Sequence, residues 1–281
     1  MSGWTDPHEP GARPLAPADR LEAALRGAID DTGHPAPALV AFLTGGHPTR
    51  EGFSALLRDV AEEADAVEVG VPFSDPMADG VTIQESSRKA LEQGVNLSWI
   101  LDTLRDTVRR PDWPGTPLLL MGYLNPFLRM GMGRLADRAR DAGVCGFIIP
   151  DLPLEESAPI RATLASRGLA LVGMVTPVTP PARRERICRE GTGFIYAVTR
   201  TGITGGDFTG GTSGLAAETA GFLDAARAVS RAPLLAGFGI RSAEQVRALA
   251  AHCDGVIVGS ALIEVIDRGE DPGAFLRGLR R

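Results

Sequence analysis

Lysine is almost missing from this sequence: of 29 basic residues, Lys89 is the single lysine and arginine supplies the rest. We read the skew as a coding bias without functional content. Cysteine is scarce as well. Cys145, Cys188 and Cys253 are odd in number and fit neither a zinc nor a redox spacing, so reduced thiols in a cytoplasm are the simple reading. No apolar run is long enough to span a bilayer, and the first twenty residues lack the basic-then-apolar order of a signal peptide. A soluble, cytoplasmic protein is expected. Positive charge is not in excess: the net charge is −6, which gives no overall attraction to phosphate polymers, so nucleic acid is not an expected partner. His47 follows Gly45-Gly46 with no second histidine or cysteine nearby, so no metal site is expected. Gly131-Met132-Gly133 lacks a preceding strand and a third glycine, so it is no dinucleotide fingerprint.

What is present is a repeating pattern. Residues 1–17 are rich in Pro, Gly and charge and are expected to form a loose tail, because such a segment buries too little apolar surface to offset its ordering entropy. The remainder, 18–281, is expected to be one catalytic domain. Residues 18–30 have helical spacing and form a lead-in helix. Eight apolar runs follow, at 38–46, 66–70, 118–123, 146–151, 170–177, 193–198, 234–239 and 255–260. Amphipathic stretches lie between them, among them 51–64, 134–143, 154–168 and 242–252. Strands alternating with helices imply a parallel sheet, and eight units in a chain of this length imply closure into a (β/α)₈ TIM barrel. The rival, an open doubly wound sheet, usually carries a glycine-rich fingerprint after its first strand, and none is seen.

Three groups of residues suggest chemistry. Side chains alternate along a strand, so if Val67 and Val69 face the covering helices, Glu68 points into the barrel. A carboxyl there is costly unless paired or protonated, and desolvation raises its pKa toward neutrality, which suits proton transfer. A structural glutamate bonded to backbone or to a tyrosine is the alternative. Asp75 and Asp79 lie in the turn-rich loop after the same strand, where a helix-capping role competes with one facing substrate. At the ends of the seventh and eighth runs, Gly237-Phe238-Gly239 and Gly259-Ser260 stand where barrels often bind phosphate, with a helical stretch starting at once after the second. The glycine-rich stretch 202–214, containing Thr204 and Gly205, reads either as a mobile loop over that site or as a plain connection. Arg183, Arg184, Arg186 and Arg189 form a basic run that reads as a solvated helix face.

The stretch from Glu68 through Val71-Pro72-Phe73-Ser74-Asp75-Pro76 to Gly80 resembles the hallmark loop of tryptophan synthase α subunits. So do Pro150-Asp151-Leu152-Pro153, Tyr196 through Gly205, Gly237-Phe238-Gly239-Ile240 and Val258-Gly259-Ser260-Ala261. The match runs from about residue 20 to the C-terminus. The resemblance implies retro-aldol cleavage of indole-3-glycerol phosphate to indole and glyceraldehyde 3-phosphate, in tryptophan biosynthesis. It implies Glu68 as general acid and base, Asp79 as acceptor for the indole N–H, and Tyr196 as the group positioning Glu68. Phe42, Leu120 and Phe238 would sandwich the ring, and Thr204, Gly205, Gly239, Gly259 and Ser260 would hold the phosphate. No cofactor is needed in this subunit, because indole serves as the electron sink; pyridoxal phosphate is expected in a β subunit, in an α2β2 assembly. Asp75, Pro76 and the segment Asn125-Pro126-Phe127 would meet that partner. A stand-alone lyase releasing free indole would keep Glu68 and Asp79 without the docking surface. The chain departs from the family pattern in having Gly46-His47-Pro48 for the more usual Gly-Asp-Pro, a longer N-terminal tail and a strand-six loop rich in glycine.

Overall fold

The computed structural model describes residues 15–29, 33, 35–199, 217–237 and 239–281. Thr204, Gly205 and Phe238, and residues 1–14 of the expected tail, lie outside that set. Nine strands among the described residues form one parallel sheet: β1 (Ala38–Thr44), β2 (Ala66–Gly70), β3 (Leu118–Met121), β4 (Val144–Ile148), β5 (Ala170–Leu171), β6 (Gly173–Val175), β7 (Ile195–Val198), β8 (Leu234–Gly237) and β9 (Gly255–Val258). Their order is β5-β4-β3-β2-β1-β9-β8-β7-β6. The two ends of this row, β5 and β6, flank the single residue Val172. They are halves of the fifth apolar run. The Val172 N–H still donates to Phe147 on the β4 side, whereas Gly173 already pairs with Ile195 of β7. Chain continuity, together with the bonds between Leu171 and Thr192 just ahead of β7, closes the row into a TIM barrel, and eight sequence units appear as nine strands.

Helices cover the outside: α2 (Phe53–Ala61), α3 (Val81–Glu92), α4 (Leu97–Val108), α5 (Leu124–Met130), α6 (Met132–Asp141), α7 (Ala158–Ala165), α8 (Pro181–Glu190), α9 (Ala217–Arg227), α10 (Ala243–Leu249), α11 (Ser260–Asp267) and α12 (Pro272–Arg280). The lead-in helix α1 runs Pro17–Arg26 and ends at Gly27, four residues earlier than periodicity suggests. It works as a plug. Leu21 and Leu25 are buried in one cluster with the inward residues Ala38, Val40, Ala66, Leu119, Tyr196, Leu235 and Ile257. Outward residues such as Val67, Val69, Leu118 and Leu120 pack instead with Phe53, Leu57 and Leu104 of the helical coat. Two separate apolar layers are the normal result of period-2 alternation in a barrel wall.

The loop ends are tied by polar side chains. Asp151, after β4, accepts the Leu124 backbone N–H at 2.9 Å and so caps α5. Ser242 and Gln245 form a reciprocal capping box at the start of α10. The arginines of α8 behave as a solvated face: Arg183 pairs with Glu155, Arg186 with Glu190 and Arg189 with Glu185. His47 is buried; its Nε2 lies 3.1 Å from Asp267 Oδ1, and burial lowers its pKa against the opposing pull of that carboxylate.

Candidate active site

Glu68 occupies the centre of β2, with Val67 and Val69 turned to the helices as alternation requires. Parallel register places Phe42 of β1 beside it and Leu119 of β3 on its other side. Its side chain is fully buried, and neither carboxylate oxygen has a hydrogen-bond partner. Burial alone pushes its pKa from 4.5 up to about 8. Near neutral pH the group therefore holds its proton, with nothing of the described protein competing for it.

The cavity over Glu68 is lined by Phe42, Asp79, Met121, Tyr196, Gly239, Gly259 and Ser260, among others. Asp79 is half-buried in the loop that joins β2 to α3. Burial raises its pKa, and a hydrogen bond from Tyr123 pulls the other way. Tyr123 follows β3. Its hydroxyl accepts the Ala78 backbone N–H at 2.8 Å, and its ring stacks on Phe73 with centroids 5.2 Å apart. The Asp79 loop is thus held from the neighbouring strand by a residue that sequence reasoning passed over. At the opposite wall Tyr196 is buried. A Cβ on Gly237, in the next strand, would lie 2.5 Å from the Tyr196 hydroxyl, so only glycine admits the ring there. Gly70, at the end of β2, yields to Phe42 in the same way, at 2.5 Å from its ring.

One expectation needs correcting. Leu120 does not face the cavity. It pairs with Val69 in parallel register and shares that residue's outward direction, so Met121 takes the inward place at the mouth. Tyr196 lines the same cavity, close enough to Glu68 for the acid's charge to add to burial in raising its pKa. Of the phosphate candidates, Gly239, Gly259 and Ser260 line the cavity, and Gly259 precedes α11 while Ser260 begins it. Thr204, Gly205 and Phe238 lie outside the described residues. A larger cleft of about 820 Å³ opens beside Asp151, Arg161 and Arg183. It shares no lining residue with the Glu68 cavity. The smaller cavity is the candidate site because both acids line it.

The model of the family described as tryptophan synthase alpha chain matches residues 31–275. The chain belongs to that family. The tryptophan synthase alpha chain of Nitratidesulfovibrio vulgaris strain DP4 is 44% identical over 261 residues, which cover 92% of this chain and 97% of the relative. That of Geobacter sulfurreducens is 41% identical, covering 86% and 92%. Among solved structures, tryptophan synthase from M. tuberculosis in an aminoacrylate-bound form superposes with a TM-score of 0.80 at 29% identity, covering 93% of this chain and 98% of that one. The tryptophan synthase α2β2 complex of Pyrococcus furiosus gives 0.75 at 31% identity, covering 86% and 95%. The TIM barrel found here is the fold of these tryptophan synthase relatives.

The docking residues expected for a tryptophan synthase α chain divide into two sets. Asp75 is exposed and accepts a hydrogen bond from Ser74 Oγ at 2.5 Å, and Asn125 is exposed on α5. Met77, between the two acids of the loop, is 81% exposed, which is unusual for an apolar side chain. Phe127, by contrast, is fully buried edge-on to Phe147 and anchors α5 to β4. It belongs to the core and not to a docking face.

Proposed function

We propose that Glu68 and Asp79 carry the family's lyase reaction, the cleavage of indole-3-glycerol phosphate to indole and glyceraldehyde 3-phosphate. The supporting observation is the unpartnered, buried Glu68 carboxyl in one cavity with a second acid and a glycine-lined anion end. In its protonated form Glu68 gives its proton to indole C3, which makes the ring an electron sink. The resulting carboxylate takes the proton of the adjacent side-chain hydroxyl. That hydroxyl becomes the aldehyde as the carbon–carbon bond breaks and its electron pair returns to the ring. Glu68 ends as it began. Asp79 accepts the indole N–H and stabilises the positive charge that builds on the ring. Tyr123 holds Asp79 in place for this. Phe42 and Met121 supply the apolar walls, and the N–H groups at Gly259 and Ser260 meet the phosphate.

An imine route through lysine, the other common way to break such a bond, is unsupported. The single lysine, Lys89, pairs with Asp267 at 3.2 Å on α3 and does not line the cavity. The pyridoxal phosphate of the pathway's second step is assigned here to a β subunit in an α2β2 assembly, the form in which the Pyrococcus furiosus relative was solved. Asp75, Pro76, Asn125 and exposed Met77 are the docking face. Relatives that bear the α-chain name over nearly their whole length favour this reading over a stand-alone lyase. Cytoplasmic location agrees with three buried cysteines, each a free thiol. No helix of the described residues is long and apolar enough to cross a membrane.

The test is indole release from indole-3-glycerol phosphate, with and without a β subunit. Glu68→Gln is expected to lower kcat by about 10²–10⁴, the usual contribution of a general acid–base group. A variant with unchanged kcat would overturn the assignment.

A further inference from the structure

The substrate just proposed carries a doubly negative phosphate into a cavity that already holds two acids. Among the described residues lining that cavity one is basic, Arg241. It follows Gly239-Ile240 in the loop after β8, and its backbone N–H donates to Gln245 Oε1 at 2.6 Å, which ties the loop to α10. Its guanidinium is forked onto Glu264: Nη1 donates to Oε2 at 2.6 Å and Nη2 to Oε1 at 2.8 Å. Glu264 stands four residues after Ser260 on α11, so the two project from one helix face a turn apart. Glu264 also accepts from Thr82 Oγ1 at 3.4 Å, on the helix that follows Asp79. The fork, with the arginine side chain 56% exposed, therefore holds a cation at a cavity that Gly259 and Ser260, at the start of α11, also line. An end-on fork uses two of the five N–H groups of a guanidinium. The others remain for a second anion, and the arginine charge survives any pH at which the barrel is folded.

We infer that Arg241, aimed by Glu264, is a phosphate-binding side chain that selects the phosphorylated substrate over its unphosphorylated counterpart. This rests on the reading of the cavity given above. Backbone N–H groups alone would serve any small anion; a forked cation beside them adds charge that a neutral glycerol end cannot use.

The experiment compares wild type, Arg241→Gln and Arg241→Lys on indole-3-glycerol phosphate and on indole glycerol, with a calorimetric titration of inorganic phosphate. Arg241→Gln is expected to raise KM for the phosphate ester about 10- to 100-fold, the size of one or two charge-assisted hydrogen bonds, with kcat little changed. The same variant should weaken inorganic phosphate in step and leave kcat/KM for indole glycerol as it was. Arg241→Lys, which keeps the charge, should recover most of the loss. Equal losses on both substrates would show the fork to be merely structural and overturn the inference, as would an unchanged KM and phosphate Kd. If wild type binds no phosphate and releases no indole, the reading of the cavity falls, and this inference with it. If wild type does both and Arg241→Gln matches it, Arg241 alone is wrongly assigned.

Discussion

Glu68 links chemistry to stability. In the folded chain its pKa is about 8, against an ordinary value of 4.5. Between those values the unfolded chain is ionised while the native one keeps its proton, so native stability falls as pH rises through that window. The integrated effect is roughly 4–5 kcal/mol at most. Glu68→Gln removes the titration, so its Tm should exceed that of wild type near pH 8, and the two should converge toward pH 4.5. Thermal unfolding across that range checks this; a pH-independent gap would show that Glu68 is not buried as a neutral acid. At the same scale Tyr123→Phe should raise the Asp79 pKa, since it deletes the hydrogen bond that lowers it. The acid limb of the kcat/KM profile should move upward, and kcat should fall by about tenfold, as for a misplaced charge-stabilising group. A profile that stays put would mean that Tyr123 serves only packing.

Elements show why part of the site was legible and part was not. Val67, Glu68 and Val69 alternate in polarity, so the inward direction of the glutamate could be read directly. The run Leu118-Leu119-Leu120-Met121 is apolar throughout and contains no such mark. Only pairing with β2 reveals that Leu120 turns outward and Met121 inward. The correction is testable. Met121→Ala should raise KM with little loss of stability, whereas Leu120→Ala should cost about 2–5 kcal/mol in denaturant unfolding and leave KM alone. The reverse pattern would restore the original assignment. Tyr123 escaped notice because its role depends on a loop delivered from another strand. Phe127 misled because its neighbours Asn125 and Pro126 stand nearer the surface while it plugs the gap to Phe147. In strand five, the unbroken apolar run hid the change of partner at Val172, which hydrogen bonding alone reveals.

For the whole molecule, alternating apolar runs and amphipathic helices were enough to give a barrel. Partner docking is a property of its outer rim. Asp75 and Met77 share a loop with Asp79, so a β subunit seated there would press directly on the acid proposed to face the indole ring. Asp75→Ala is expected to reduce stimulation of indole release by a β subunit at least several-fold while leaving the rate of the isolated chain within about twofold, as for a rim charge. Titrating the β subunit against the initial rate decides it, and undiminished stimulation would move the docking face elsewhere. The seam at Val172 has a further implication. Eight of the joints around this cylinder are rows of hydrogen bonds between strands; the last combines the peptide chain with two bonds between Leu171 and Thr192, just ahead of β7. New termini introduced between Leu171 and Gly173 would remove the covalent part of that joint and weaken the wall there, leaving the Leu171–Thr192 bonds to hold it. The same cut in a loop between a helix and its next strand leaves the ring whole.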